Sequence, residues 1–307
     1  MNLRTTQLNI TSQILSQIQR HSYTLSQHYR DISSGVNITR PSENINNYNK
    51  ILYHNTESKR ISSTIDNIHT LNNTLDYIVN SLLDINNVLL RASQIASTGS
   101  DITLDQSTIR ALADEIDVMI NNILNISNRK MYDNYLFSGA ALNITPFVIS
   151  SYDINGRINN ITYMGSTNNS NAFISDDIII PLYYTGNVFL QNNGKNIFQS
   201  LIDLRNALLA DLPQRSSLLG SAMQDIELAR DHITGVIGSI SSHLSGLRSY
   251  SEQLDKLLYD HQVMQSELQS TDYADAIVRM NQSQYLLQAS MAIIARYYSF
   301  SFLDYIT

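Results

Sequence analysis

Seven histidines, at positions 21, 28, 54, 69, 232, 243 and 261, are the side chains best suited to metal or proton chemistry. None stands in an H-E-x-x-H spacing or beside a cluster of carboxylates, so their pattern predicts no metal site. A paired-carboxylate acid–base device is closest to hand at Asp114, Glu115 and Asp117. Ile116 and Ile120 are the residues there that turn inward, so the three acids read as the solvated face of a helix. No glycine-rich phosphate loop, nucleophile elbow or kinase signature occurs. Asn9, Asn37, Asn125, Asn143 and Asn160 each begin an N-x-[ST] tripeptide, a pattern that recurs by chance in a chain this rich in asparagine, serine and threonine. The absence of cysteine excludes disulfides, thiolate catalysis and cysteine-ligated zinc. The expectation is therefore no catalytic residue, no metal and no cofactor, with function carried by shape.

Composition supports a folded chain: 43% of its 307 residues are hydrophobic and 15% charged. A net charge of -7 gives no overall attraction to nucleic acid or to an anionic membrane. Met1 to Arg20 alternates polar and apolar residues without the apolar core of a secretory signal, so passage out of the cell would need a route without a cleaved signal.

The elements that position these residues follow from periodicity. Glu43 to Thr98 contains neither proline nor glycine, and apolar residues recur every seventh position at Ile61, Ile68, Leu75, Leu82 and Leu89. A companion row at Leu71, Ile78, Ile85 and Ala92 completes a coiled-coil seam on a helix about 84 Å long at 1.5 Å per residue. Ser42 to Ile45 reads as its start, and a second helix is expected from about Thr103 to Met131. Ile226, Ile233, Ile240, Leu247, Leu254 and Leu268 repeat the device on a third helix from Gln214 to Gln269, interrupted in register only by His261. Gly235, Gly238 and Gly246 within it each cost about 1 kcal/mol relative to alanine, which suggests close helix packing.

Between the helical halves, residues 143–196 change character. Phe147-Val148-Ile149, Ile178-Ile179-Ile180 and Val188-Phe189-Leu190, with turn signals at Asn155-Gly156 and Asn193-Gly194, predict a small β domain. Tyr273, Ile277, Met280, Gln284, Leu287, Met291, Ile294 and Tyr298 form a terminal stripe, matched at the other end by Leu8, Leu15, Ile18, Leu25, Tyr29 and Ile32. The expected fold is mainly α with a small β insert, an elongated antiparallel helical rod whose terminal helices pair as a coiled coil. Its domains would be 1–42 with 270–307 for assembly, 43–142 with 197–269 for the rod, and 143–196 for the insert.

Three signature segments in order, together with the final residues, carry a resemblance. Ile32 to Glu43, with Gly35, Arg40, Pro41 and Ser42, resembles the L-S-[TS]-G-x-x-[IV]-x-[RN]-P-S-D signature of the flagellin family, with Glu43 in place of Asp. Asn134-Tyr135-Leu136-Phe137-Ser138-Gly139 resembles the N-x-Y-[IL]-F-[AS]-G that closes the N-terminal rod helices, in the version of the family's hook-filament junction branch. Asp272-Tyr273-Ala274-Asp275-Ala276-Ile277 is similar to D-x-A-[ED]-A-I, and the ending Phe302-Leu303-Asp304-Tyr305-Ile306 resembles that of the same branch. The resemblance implies a non-enzymatic adaptor of the bacterial flagellum, exported by the flagellar type III apparatus and lying outside the cell. Implied partners are neighbouring copies, hook-associated protein 1, flagellin and an export chaperone. Implied assembly residues are Leu8, Leu15, Ile18 and Leu25 in the first helix and Ile277, Met280, Leu287, Met291, Ile294, Phe302, Leu303 and Tyr305 in the last. Flagellin itself, or a coiled-coil adhesin or effector of a type III system, are the rival readings.

Overall fold

Scarce glycine and proline leave long stretches with nothing to stop a helix, and the computed structural model, which describes residues 2–175, 178–190 and 194–303, is built from them. In chain order come α1 (Asn2–Ser34), α2 (Ile45–Gly99), α3 (Gln106–Ser127), the short strands β1 (Lys130–Met131) and β2 (Asn134–Tyr135), then β3 (Phe147–Tyr152), β4 (Ile158–Tyr163), β5 (Ser170–Ser175) and β6 (Ile178–Tyr183). A 3-10 turn at Gly186–Phe189, α4 (Ile197–Leu209), α5 (Leu212–Gln269) and α6 (Tyr273–Leu303) complete it. Two compact units result: Met1–Ser62 with Lys256–Thr307, and Ser63–Asp255.

In the Ser63–Asp255 unit the heptad rows behave as their spacing predicts. Ile68, Leu75, Leu82 and Leu89, their companions Leu71, Ile78, Ile85 and Ala92, and Ile226, Ile233, Ile240 and Leu247 of α5 are all buried. Each fully buried aliphatic side chain is worth about 1.5–3 kcal/mol, which is why a strict apolar repeat outweighs the entropy of ordering so long a helix. The inner face of α3, with Ile109, Ile116, Ile120 and Ile123, packs closely on α4, whose Phe198, Leu201, Leu204 and Leu208 are buried in turn.

Helix ends are set by side chains. The start of α2 falls within the expected Ser42–Ile45 and is capped by Asn44, whose Oδ1 accepts from the Asn47 amide at 3.1 Å. α3 stops at Ser127 rather than continuing to Met131. The Asn128 side chain exchanges two hydrogen bonds with the Phe147 backbone, Nδ2 donating to its carbonyl at 2.9 Å and Oδ1 accepting from its amide at 3.0 Å, which turns the chain into the β1–β2 ribbon. Asn196 caps α4 by accepting from the Gln199 amide at 2.7 Å.

The insert consists of two separate antiparallel ribbons, β3–β4 and β5–β6. Asn155-Gly156 makes the first turn, with Gly156 at φ 78°. Val188-Phe189-Leu190, expected as strand, is instead mostly the 3-10 turn, because the Thr185 hydroxyl accepts from the Asn187 amide and caps it. Phe189 then enters an aromatic cluster with Phe137, Phe147 and Phe198 at centroid distances of 5.0, 4.9 and 6.2 Å. Asn193 lies outside the described residues.

The glycines of α5 correct the sequence expectation. A Cβ at Gly235, Gly238 or Gly246 would meet nothing within 4 Å, so close packing inside this chain is not what retains them. No helix among the described residues is long and apolar enough to cross a membrane.

Candidate assembly interface

Two of the three signature segments meet in the unit made by Met1–Ser62 and Lys256–Thr307. α1 ends at Gly35, whose φ of 71° is left-handed and whose added Cβ would stand 2.9 Å from the Tyr273 hydroxyl oxygen. Beyond it, Val36 bridges Ser270, the Asn37 amide donates to the Gln269 carbonyl at 2.9 Å, and the Thr271 amide donates to the Gly35 carbonyl at 3.0 Å. The Thr271 hydroxyl reaches the Asp31 carbonyl at 3.1 Å. Asp272 caps α6 by accepting from the amides of Ala274 and Asp275, at 3.0 and 3.2 Å. The first and last signatures are thus the two sides of one joint.

Glu43 closes the loop into α2. Its carboxylate accepts from the Thr39 amide at 2.6 Å and the Arg40 amide at 2.9 Å. Burial opposes the charge, but these two amides outweigh it and hold the Glu43 carboxyl below its ordinary range. Across the joint, burial and then the neighbouring Glu43 charge push the Asp31 carboxyl up. Arg40 reaches the Tyr23 hydroxyl at 3.4 Å, while Pro41 and Ser42 lie exposed in the turn.

From the joint, α1 and α6 run as a close pair. The side of α1 turned inward carries Thr11, Ile14, Ile18, His21, Leu25, His28 and Ile32, all half-buried and spaced alternately by three and four. The facing side of α6 carries Ala276, Met280, Ser283, Leu287, Ser290 and Ile294, with Ala276, Ser283 and Ser290 the most enclosed. Small residues at every seventh position let the two backbones approach. The seam therefore shares Ile18, Leu25, Ile32, Met280, Leu287 and Ile294 with the predicted stripes. It leaves Leu15 (48% exposed), Tyr29, Ile277 and Met291 (50%) outside. Val278, Tyr285, Leu286 and Ile293 are exposed as well, so α6 is apolar well beyond the strip that α1 covers. Leu8, Phe302 and Leu303 belong to helical segments whose side chains are outside the described residues, and Tyr305 lies outside them altogether.

The middle signature anchors the insert in the other unit. Leu136, Phe137 and Ser138 are fully buried. Gly139, at φ 61°, would bring a Cβ to 2.5 Å from the Asn168 carbonyl, so only glycine fits. The backbone of this turn bonds both ribbons' flanks: Tyr184 to Leu136 at 3.1 Å, Gly139 to Tyr184 at 2.9 Å, and Ser166 to Ser138 at 2.9 Å. Asn134 Nδ2 donates to the Tyr183 hydroxyl, and the Tyr135 hydroxyl pairs with Thr145.

The acid run is only partly the solvated face expected. Asp117 is 21% exposed and lies between two guanidinium groups, Arg205 at 2.8 Å and Arg157 at 3.2 Å; Arg157 also holds Asp114 at 2.6 Å. Arg205, 1% exposed, further donates to the Ile158 carbonyl at 2.7 Å. Glu115 pairs with Arg91. Asp117 thus ties α3 to α4 and β4, a role hidden in sequence because its partners are distant. A concavity of about 470 Å³ beside the joint, lined by His28, Asp31, Glu43, Asp272 and Arg279 among others, is open and mostly polar. Among the described residues, no group of three or more histidine, aspartate or glutamate side chains converges to hold a metal ion.

These features define a scaffold of paired terminal helices, a helical middle and a small β insert. In fold the chain matches solved structures of flagellar hook-associated protein 3. It superposes on a Vibrio parahaemolyticus protein assigned as a flagellar hook-associated protein, with a TM-score of 0.67 and 15% identity over 74% of this chain and 100% of the other. Flagellar hook-associated protein 3 from Legionella pneumophila gives 0.62 at 13% identity over 71% and 98%. FlgL from Bacillus cereus gives 0.55 at 16% identity over 69% and 96%. No protein-family pattern and no curated protein sequence matches the chain.

Proposed function

We propose that this chain is a structural, non-catalytic subunit of the bacterial flagellum, an adaptor at the junction between hook and filament. The observation that carries the reading is the terminal pair. α6 presents Ile277, Val278, Tyr285, Leu286, Met291 and Ile293 to solvent, while α1 covers the strip from Ala276 through Met280, Ser283, Leu287 and Ser290 to Ile294. Exposed apolar surface of this extent marks a protein contact. In this reading the contact is made with neighbouring copies of the chain, with hook-associated protein 1 on one side and with flagellin on the other; the fold shared with hook-associated proteins supports it. Residues 1–42 with 270–307 form the assembly domain in this reading, 43–142 with 197–269 the rod and 143–196 the insert. The interface comprises Leu8, Leu15, Ile18 and Leu25 with Ile277, Met280, Leu287, Met291, Ile294, Phe302, Leu303 and Tyr305. Export through the flagellar type III channel to an extracellular position follows, with a cytoplasmic chaperone shielding the apolar face of α6 until release.

Amide hydrogen exchange on the purified chain, alone and mixed with preassembled hook and filament components of the same source, tests this. Slowed exchange in α1 and α6 on mixing supports assembly through the terminal helices. Equal exchange in both samples means these helices are ordinary core, and the reading fails.

A further inference from the structure

The buried row of α2 at Ile61, Ile68, Leu75, Leu82 and Leu89 extends one step back to His54, and that of α5 from Ile226 to Leu254 extends one step on to His261. Both imidazoles thus occupy positions where the repeat otherwise places aliphatic side chains. They meet within the Met1–Ser62 and Lys256–Thr307 unit, half-buried, with Nδ1 to Nδ1 at 2.9 Å and ring centroids 5.1 Å apart. Tyr53 stands edge-on to His54, its ring centroid 5.4 Å away, and 6.2 Å from that of His261.

A nitrogen–nitrogen contact this short requires a proton between the rings. One imidazole is the Nδ1–H tautomer and donates; the other carries its proton on Nε2 and accepts. The rings face each other nearly head-on across the shared hydrogen. Replacing that hydrogen bond by a metal requires the donor imidazole to give up its Nδ1 proton and take one at Nε2, both through solvent and with no net change, and both rings to turn so that their Nδ1 lone pairs converge to one side of the N–N line. Metal–imidazole bonds of about 2.0–2.1 Å closing over this separation subtend about 90° at the metal, the angle of adjacent ligands in tetragonal geometry rather than tetrahedral. That geometry selects Cu²⁺ or Ni²⁺ over Zn²⁺. Ser58, one turn further along the same face of α2, has an enclosed hydroxyl oxygen without a hydrogen-bond partner, suited to a water on the metal. No third protein ligand converges among the described residues, so water completes the coordination.

We propose that His54 and His261 form a bis-imidazole site for a divalent transition-metal ion, Cu²⁺ or Ni²⁺, which clasps α2 to α5. The site does not depend on the proposed flagellar role.

The test is calorimetric titration of the untagged full chain with Ni²⁺, together with thermal unfolding followed by circular dichroism. One ion per chain is expected, with an unfolding midpoint raised by several degrees. His54→Gln and His261→Gln should each weaken Ni²⁺ binding by about tenfold or more and abolish the shift, while His69→Gln changes neither. Cu²⁺ bound to the wild-type chain should show an electron paramagnetic resonance spectrum with two coordinating nitrogens, a readout that does not depend on either variant folding. Absence of Ni²⁺ binding, binding equally strong in both variants, or a Cu²⁺ spectrum without the nitrogen pair overturns the proposal.

Discussion

The rows of α2 and α5 in the Ser63–Asp255 unit and the seam of α1 and α6 are both helical packings on a seven-residue repeat, yet they are filled differently. The first is lined with aliphatic side chains that the chain itself buries completely. The second interleaves histidine, threonine, serine and alanine with aliphatic residues and a methionine that stay half-buried, such as Ile18, Leu25, Met280 and Leu287, and leaves further large apolar residues exposed on its flanks. A repeat that buries its bulk internally is built for stability of the single chain. One that mixes small and polar residues into its seam and leaves large apolar residues half-buried or exposed takes less of its stability from the single chain.

Removing the most enclosed polar tie tests the stable side of this contrast most severely. Arg205→Ala leaves the Ile158 carbonyl without its donor and takes one of two guanidinium partners from Asp117, and should cost about 3–5 kcal/mol in urea unfolding. Leu82→Ala should cost about 2–5 kcal/mol by the same measurement, whereas Leu287→Ala in the half-buried seam should cost the free chain less than about 1.5 kcal/mol. Equal penalties for the two leucines would break the comparison. Glycines sharpen it. Gly139→Ala, forced into a left-handed backbone against the Asn168 carbonyl, should lose about 1–3 kcal/mol. Gly235→Ala, in a helix with open space around it, should gain up to about 1 kcal/mol in the free chain. If that gain comes with weaker assembly into hook and filament components, the open face of α5 belongs to the contact surface too.

The smallest effects lie at the joint, where two carboxyls respond to pH in opposite senses. Glu43 is held below its ordinary value of 4.5, so its contribution to stability is present above that value and lost as pH falls through the depressed one. Exchange at the Thr39 and Arg40 amides should accelerate there beyond its intrinsic pH dependence, and Glu43→Gln should remove the transition. Asp31 is raised above 3.8, so its contribution is fully present below that value and lost as pH rises through the raised one. Asp31→Asn should therefore slow exchange at the joint near neutral pH and change little in acid.

How much of this was legible in the sequence depended on what filled each repeat. Ile68, Leu75, Leu82 and Leu89 admit one reading, because unbroken aliphatic spacing has one geometric solution and burial follows. The terminal seam is legible at Ile18, Leu25, Ile32, Met280, Leu287 and Ile294 but not at His21, His28, Ser283 and Ser290, which do not look like core while Leu15 and Met291 do. Close backbone approach, which makes small residues good packers, leaves no hydrophobic signal. The joint was legible only as signature residues. Gly35 needs Tyr273 for its steric meaning, and Glu43 needs the bent backbone at Thr39 and Arg40. Asp117 read as solvated because its two guanidinium partners arrive from the β3–β4 turn and α4, far along the chain.

The antiparallel bridge between Val36 and Ser270 joins positions more than two hundred residues apart. At about 5–20 residues per second, a ribosome takes roughly 10–50 s to supply the second after the first. Throughout that interval the leading segment has no mate, and closing so wide a loop makes the final pairing slow relative to local helix formation. The amphipathic α1 is consequently available for capture during synthesis, so a factor that must intercept this chain before it closes has its widest opportunity at the segment made first.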